Sequence, residues 1–374
     1  MNIPVFELER VQSMHENTVE YNLTESGFHP YTLDELLDTR QIQKLNNIAL
    51  GYGQTNGSAK LRKRISSLYK NADVDEENIL VTNGSSEANF VACHTLLEHG
   101  DEVVMMVPNY MQIWGIAKEM GCTPKAFHLR EENNWKPDIG QLESLVNPKT
   151  KMIAVCNPNN PTGYTLSKTE MQQIVEIAKR AGAWVYSDEV YRGAELDGRM
   201  IESFAGTYDK VIVNGGLSKA YALPGLRLGW LTGPKEIIDD CWAYHDYTSI
   251  TTGILSRKIG TLVLRPEKRR QIINRNRAIL NENLKAVKQW LNKFEGTFKY
   301  TDPQGGGMIF IKYNLDINST ELSDWLREEK SVFILAGDTY GMDYHFRIGI
   351  GARKEYLLNG LKRVENALRE RFDI

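Results

Sequence analysis

Lys210-Val211-Ile212-Val213-Asn214 runs directly into Gly215-Gly216-Leu217-Ser218-Lys219-Ala220-Tyr221-Ala222-Leu223-Pro224-Gly225-Leu226-Arg227-Leu228-Gly229-Trp230. The first five residues are a β-rich run closed by a glycine pair, the pattern of a buried strand entering a turn. Lys219 therefore stands just past the carboxyl end of a strand, where open α/β sheets place their ligands. A lysine held in a cleft loses solvation, its pKa falls, and it can form a Schiff base. Arg227 follows at a spacing of eight residues and brings a permanent charge suited to a phosphate.

The same unit recurs upstream. Ile79–Thr82, Glu102–Val107, Lys151–Val155 and Ala183–Ser187 read as strands, while Glu87–His99, Met111–Met120 and Ser167–Ala181 carry the helical period. Such alternation predicts a mostly parallel sheet covered by helices, an α/β fold. Downstream, Pro234–Phe294 is helix-rich. Gly307–Tyr313 and Tyr344–Ile350 then read as strands, with Ser319–Glu329 and Glu355–Phe372 as helices. The expected division is a large domain over residues 46–275 and a smaller α+β domain built from both chain ends, 1–45 plus 276–374.

Three further segments put chemistry at strand ends. Asn83-Gly84-Ser85-Ser86-Glu87 opens a helix, whose unpaired N–H groups and partial positive charge favour a phosphate, with Ser85 and Ser86 adding hydroxyls. Asn157-Pro158-Asn159-Asn160-Pro161-Thr162-Gly163 is a stiff turn after a strand, from which Asn160 can donate into a cleft. Ser187-Asp188-Glu189-Val190-Tyr191 aims a carboxylate and, three residues on, a phenol at the same crevice. A buried carboxylate there needs a cation or donors.

Composition excludes other classes. The chain has 374 residues, 41% of them hydrophobic and 25% charged, so it can bury a sizeable core. With 45 Lys+Arg against 48 Asp+Glu, the net charge of −3 offers no basic excess for nucleic acid. Cys93, Cys122, Cys156 and Cys241 form no C-x-x-C pair, which argues against a disulfide framework or zinc ribbon and suits a reducing compartment. The histidines show no H-x-x-x-H or H-E-x-x-H spacing, so no metal site is expected. Gly51, Gly53 and Gly57 do not fit the dinucleotide-binding glycine spacing. No secretory signal and no run of about 20 apolar residues is visible. A cytoplasmic protein is expected.

Asn157–Gly163, Asp188–Tyr191 and Gly216–Gly229 resemble, in order and spacing, the signatures of the class I/II aminotransferases, which use pyridoxal 5′-phosphate on the fold-type I scaffold. The resemblance extends from about Tyr52 to Gly349. It implies a large domain with a seven-stranded type of sheet, and it implies roles residue by residue. Lys219 would carry the cofactor as an imine and shuttle the proton at the substrate Cα. Asp188 would pair with the pyridine nitrogen, keeping it protonated so that the ring draws electrons. Asn160 and Tyr191 would bond the 3′ oxygen, and Tyr110 would stack on the ring. Ser85, Ser86, Ser218 and Arg227 would hold the phosphate. The family often carries Ser three residues before the lysine; here that place is Gly216. Arg347, in Phe346-Arg347-Ile348-Gly349, resembles the arginine that grips the substrate α-carboxylate with two parallel bonds. Tyr52 resembles the tyrosine that reaches the neighbouring subunit's phosphate, which implies a homodimer.

The activity implied is transfer of an α-amino group to a 2-oxo acid by ping-pong chemistry. A C–S β-lyase or an amino-acid cyclase or synthase of the same fold uses the same residues, and a non-catalytic regulator on this scaffold is the alternative outside enzymes. Glu25, Ser26 and His29, in Asn22–Pro30, fall by family position beside the substrate. They are more polar than an aliphatic amino acid requires, which predicts a polar or basic substrate side chain.

Overall fold

The computed structural model describes residues 3–70 and 72–374. Its centre is an eight-stranded sheet in the order Ile79–Thr82, Gly229–Thr232, Val211–Gly216, Trp184–Asp188, Thr150–Cys156, Glu102–Val107, Thr123–Arg130, Lys136–Pro137. Seven strands make the body, and the two-residue Lys136–Pro137 extends one edge. Pairing is parallel except at Gly229–Thr232, which runs against both neighbours, and at that short edge strand.

Apart from the two strands at the Thr123–Arg130 edge, the sheet is buried on both faces, which is why most of its strands read as nearly continuous apolar runs. Side chains alternate between two cores: Val104, Met106, Ile153, Val155 and Val185 join one, while Val103, Met105, Met152, Ala154 and Tyr186 join the other. Helix Lys168–Ala181 illustrates the covering layer. Ser167 and Glu170 form a reciprocal cap at its start, and Met171, Ile174, Val175 and Ala178 form its buried stripe. The strands Thr123–Arg130 and Gly229–Thr232 are additions to the sequence-based expectation. The first carries Pro124, Lys125 and His128 and lacks a clean apolar run, and the second is only four residues long.

A second, four-stranded antiparallel sheet has the order Phe298–Tyr300, Met308–Tyr313, His345–Gly349, Leu335–Ala336. Both chain ends meet beside it. Tyr21–Asn22 pairs in parallel with Val332–Phe333, and the C-terminal helix Lys354–Phe372 packs on that pair. Arg347 lies mid-sheet, opposite Phe310 and Leu335. No helix among the described residues is long and apolar enough to cross a membrane.

Candidate active site

The parallel strands all end at one edge of the large sheet, and their following residues converge there. Ser85 and Ser86 follow Ile79–Thr82, Tyr110 follows Glu102–Val107, Asn160 follows Thr150–Cys156, Asp188 ends its own strand, and Ser218 and Lys219 follow Val211–Gly216. Arg227 reaches the same edge because Gly229–Thr232 runs the other way, so its amino end lies where its neighbours finish. Together with Ser26, Tyr191 and Arg347, these residues line one cavity of about 380 Å³. Tyr52 does not; it is 88% exposed, outside its own chain's cleft. His29 also faces elsewhere, against Arg275. A second cavity of about 410 Å³, lined by Tyr69, Glu189, Arg192 and Trp230, holds none of the expected site residues.

At one end of the cleft, helix Ser85–Leu96 presents its N-terminus, and the Arg227 guanidinium lies against Gly84 just before it. Arg227 sits in the left-handed region at φ 45°, rare for a side chain of its size, so the surrounding structure must hold it there. Gly216 is explained at this point. A Cβ there would collide with Ser85 Oγ, which donates to the Gly215 carbonyl at 3.3 Å. Ser85 thus takes the space that a serine side chain at 216 would need.

In the middle, Asp188 is buried and accepts a hydrogen bond from the Val190 N–H at 3.1 Å. Burial without a paired cation pushes its carboxyl up to about 7. Lys219 Nζ lies 2.8 Å from Glu25 Oε1, and that ion pair holds the Glu25 carboxyl down at about 2. The Tyr191 hydroxyl donates to Ser26 Oγ at 2.8 Å, and burial raises its phenol pKa. The Tyr110 hydroxyl donates to Glu9 Oε1 at 2.7 Å; burial, then the Glu9 charge, raises its pKa.

At the other end, Arg347 is 1% exposed. It donates to Asn160 Oδ1 at 2.8 Å, to the Tyr340 hydroxyl and to the Thr24 carbonyl, while Nε has no partner. No carboxylate pairs with this buried cation among the described residues. Asn160 Oδ1 also accepts from Tyr340, so its amide group is held facing the cleft. The segment carrying Glu25 rests directly on the small sheet: a Cβ at Gly349 would collide with the Glu25 carbonyl.

Several residues of this arrangement were not singled out in the sequence. Asn89, on helix Ser85–Leu96, links Tyr186, Asn214 and Gln112 beneath the cleft. Tyr340 and the Thr24 carbonyl fix Arg347. Glu9 and Glu16 arrive from the N-terminal helix Glu7–His15 and its C-cap. None of these has a local signature, since each acts only through residues distant in the chain.

A convergent lysine, buried carboxylate, helix N-terminus and unpaired arginine on this topology define a pyridoxal 5′-phosphate-dependent transferase of fold type I. The model of the aminotransferase class I and II family matches residues 22–364. The chain belongs to that family, and it is a pyridoxal-phosphate enzyme of the aminotransferase type. It is 30% identical to an aspartate aminotransferase of Pyrococcus horikoshii over 88% of this chain and 87% of the relative. It is 26% identical to the capreomycidine synthase of Streptomyces vinaceus over 93% of this chain and 89% of that one. The crystal structure of a PLP-dependent aminotransferase from Streptococcus suis superposes with a TM-score of 0.93 at 34% identity, covering 99% of both chains.

Proposed function

We propose that this cleft moves the α-amino group of an amino acid to a 2-oxo acid in two half-reactions, with Lys219 as the proton carrier. The observation that carries the reading is the fully buried Arg347, a cation with an unpaired Nε and no carboxylate among the described residues, lining the cleft that holds Lys219 and Asp188. A substrate α-carboxylate supplies the missing partner.

When bound, pyridoxal phosphate would supply an aldehyde and an electron-withdrawing ring. Asp188 fits that ring's nitrogen, because a buried carboxylate raised to about 7 needs a cation beside it to remain ionised. Ser85, Ser86, Ser218 and Arg227 would hold the phosphate at the helix N-terminus. Tyr110 would hold the cofactor ring, and Asn160, with Tyr191 once its hydroxyl turns from Ser26, would hold the 3′ oxygen. Arg347 orients the substrate so that the Cα–H bond points at Lys219, whose Nζ takes that proton and returns it. Tyr52, exposed on its own protomer, completes the phosphate site of a second copy, so the working unit is a homodimer. The four buried, free cysteines accord with a cytoplasmic location.

The test is a half-reaction. The yellow loaded enzyme should lose its visible band with an amino acid alone and regain it with a 2-oxo acid. Borohydride should fix the cofactor covalently in the parent but not in Lys219→Ala. Release of pyruvate and ammonia, with the band unchanged, would establish elimination instead. A second reading, ring closure, rests on the likeness to capreomycidine synthase across 93% of the chain. It predicts a cyclic product with no 2-oxo acid formed.

A further inference from the structure

We infer that the amino donor carries a cationic side chain, an ammonium or guanidinium, held by Glu16 and Glu25 at the N-terminal wall of the cleft. The inference rests on the amino-acid site proposed above and adds the class of substrate. Charged side chains lining the cavity are Glu9, Glu16, Glu25 and Asp188 against Lys219, Arg227 and Arg347. Every cation is already engaged, with Arg227 at the phosphate, Arg347 at the α-carboxylate and Lys219 at the reacting amine. Asp188 is matched by the cofactor ring. Three carboxylates are then left with no cation assigned to them.

Their surroundings differ. Glu9 accepts from Tyr110. The Glu16 carboxylate has no hydrogen-bond or ion-pair partner among the described residues, and it lies close enough to feel Glu25 and Glu9 and, more weakly, Lys219. Among the described residues Glu25 has Lys219 as its ion-pair partner, at 2.8 Å, and loses it once that nitrogen is engaged in chemistry, while the Arg347 charge, felt from farther off, is matched by the α-carboxylate. Arg347 independently fixes the polarity of the ligand, since its unpaired, fully buried Nε calls for a carboxylate at the far end of the cleft. Gln12, Ser13 and Glu16 line the same cavity, and with the α-carboxylate anchored at Arg347 and the amine at Lys219 they are the polar lining we assign to the side chain. An acidic side chain would meet three like charges and no free cation, whereas a basic one gains charge-assisted hydrogen bonds.

The experiment compares half-reaction kcat/KM for ornithine and arginine with norvaline, which has a similar chain without charge, and with glutamate. Ornithine or arginine should exceed both by roughly tenfold or more, the scale of one partly buried charge contact. Glu16→Gln and Glu25→Gln should each lower the ornithine-to-norvaline ratio several-fold. Glu16 is half-buried at a helix C-cap with no side-chain partner to lose, so its variant isolates charge from folding. Norvaline or glutamate reacting as fast as the basic donors overturns the inference while leaving the amino-acid site intact. So does a ratio unmoved in both variants. Failure of every donor, whatever its charge, overturns the site reading and the inference with it.

Discussion

Replacing Asp188 with asparagine should stabilise the cofactor-free protein and cripple the loaded one. The folded carboxyl titrates at about 7 against an ordinary value of 3.8, chiefly because burial disfavours its ionised form. Between those values the native state binds more protons than the unfolded chain, so this group's contribution to stability falls as pH rises. The penalty is absent below the unfolded value and complete above the folded one. A difference of about 3 units, at 1.36 kcal/mol each, corresponds to roughly 4 kcal/mol at pH 8.5 as an upper bound. At pH 5 the same linkage leaves less than about half of that. Asparagine keeps the volume and the oxygen that accepts from the Val190 N–H, but carries no charge to desolvate. Urea melts of cofactor-free parent and Asp188→Asn at pH 8.5, 7 and 5 measure the gap, and the subtraction cancels other groups such as His29, whose pKa burial lowers. The variant should be more stable by a few kcal/mol at pH 8.5, with the gap narrowing toward pH 5. Loaded, it should lose on the order of a hundredfold or more in kcat, since nothing then holds the ring nitrogen protonated. A variant no more stable than the parent at pH 8.5, or a gap independent of pH, would refute the account of this carboxylate.

Other outcomes follow from the same geometry. Arg347→Lys should reduce half-reaction kcat/KM on the order of 10²–10³-fold, because an ammonium cannot make the two parallel bonds and leaves the Asn160 and Thr24 acceptors short of donors. An Arg347→Lys enzyme within threefold of the parent would place the carboxylate elsewhere. Gly216→Ser, although it restores the residue common in the family, should cost about 1–3 kcal/mol in a thermal melt by forcing Ser85 aside, and adding Ser85→Gly should recover most of it. Equal melting of Gly216→Ser and the parent would show that the Ser85 hydroxyl moves freely. Mixing inactive Tyr52→Ala with inactive Lys219→Ala, after partial unfolding and reassembly, should regenerate activity in hybrid dimers. No regain would mean that Tyr52 serves its own chain or none.

The doubly wound core was readable because its signals are local. Glu102–Val107 needs only its own composition to declare a strand covered on both sides, and Ser167 and Glu170 mark a helix start within four residues. The strand-end residues Asp188, Asn160 and Lys219 were readable for a related reason: topology alone delivers every parallel carboxyl end to one edge. Strands Thr123–Arg130 and Gly229–Thr232 escaped because their pattern is set by neighbours. The first is a half-exposed strand whose proline and lysine are tolerated near the edge, and the second gains strand identity from pairing on both sides.

Charge balance in the cleft is the property that sequence withholds most completely. Lys219 and Glu25 are 194 residues apart and meet at 2.8 Å, and Arg347 reaches the Thr24 carbonyl from 323 residues away. The meeting depends on a β-pair formed by the two chain ends, Tyr21–Asn22 with Val332–Phe333, and on Gly349 admitting the Glu25 backbone. Cofactor chemistry is therefore encoded in the middle of the chain, where strand ends converge by topology. On the inference above, substrate choice would be set nearer the termini, where long-range pairing brings Glu16 and Glu25 to the cleft. Proteins similar to this chain carry different names, an aspartate aminotransferase and a capreomycidine synthase, as expected where one fold serves more than one reaction. On that basis, exchanging the Glu9–Glu25 segment should change donor preference without changing the yellow chromophore.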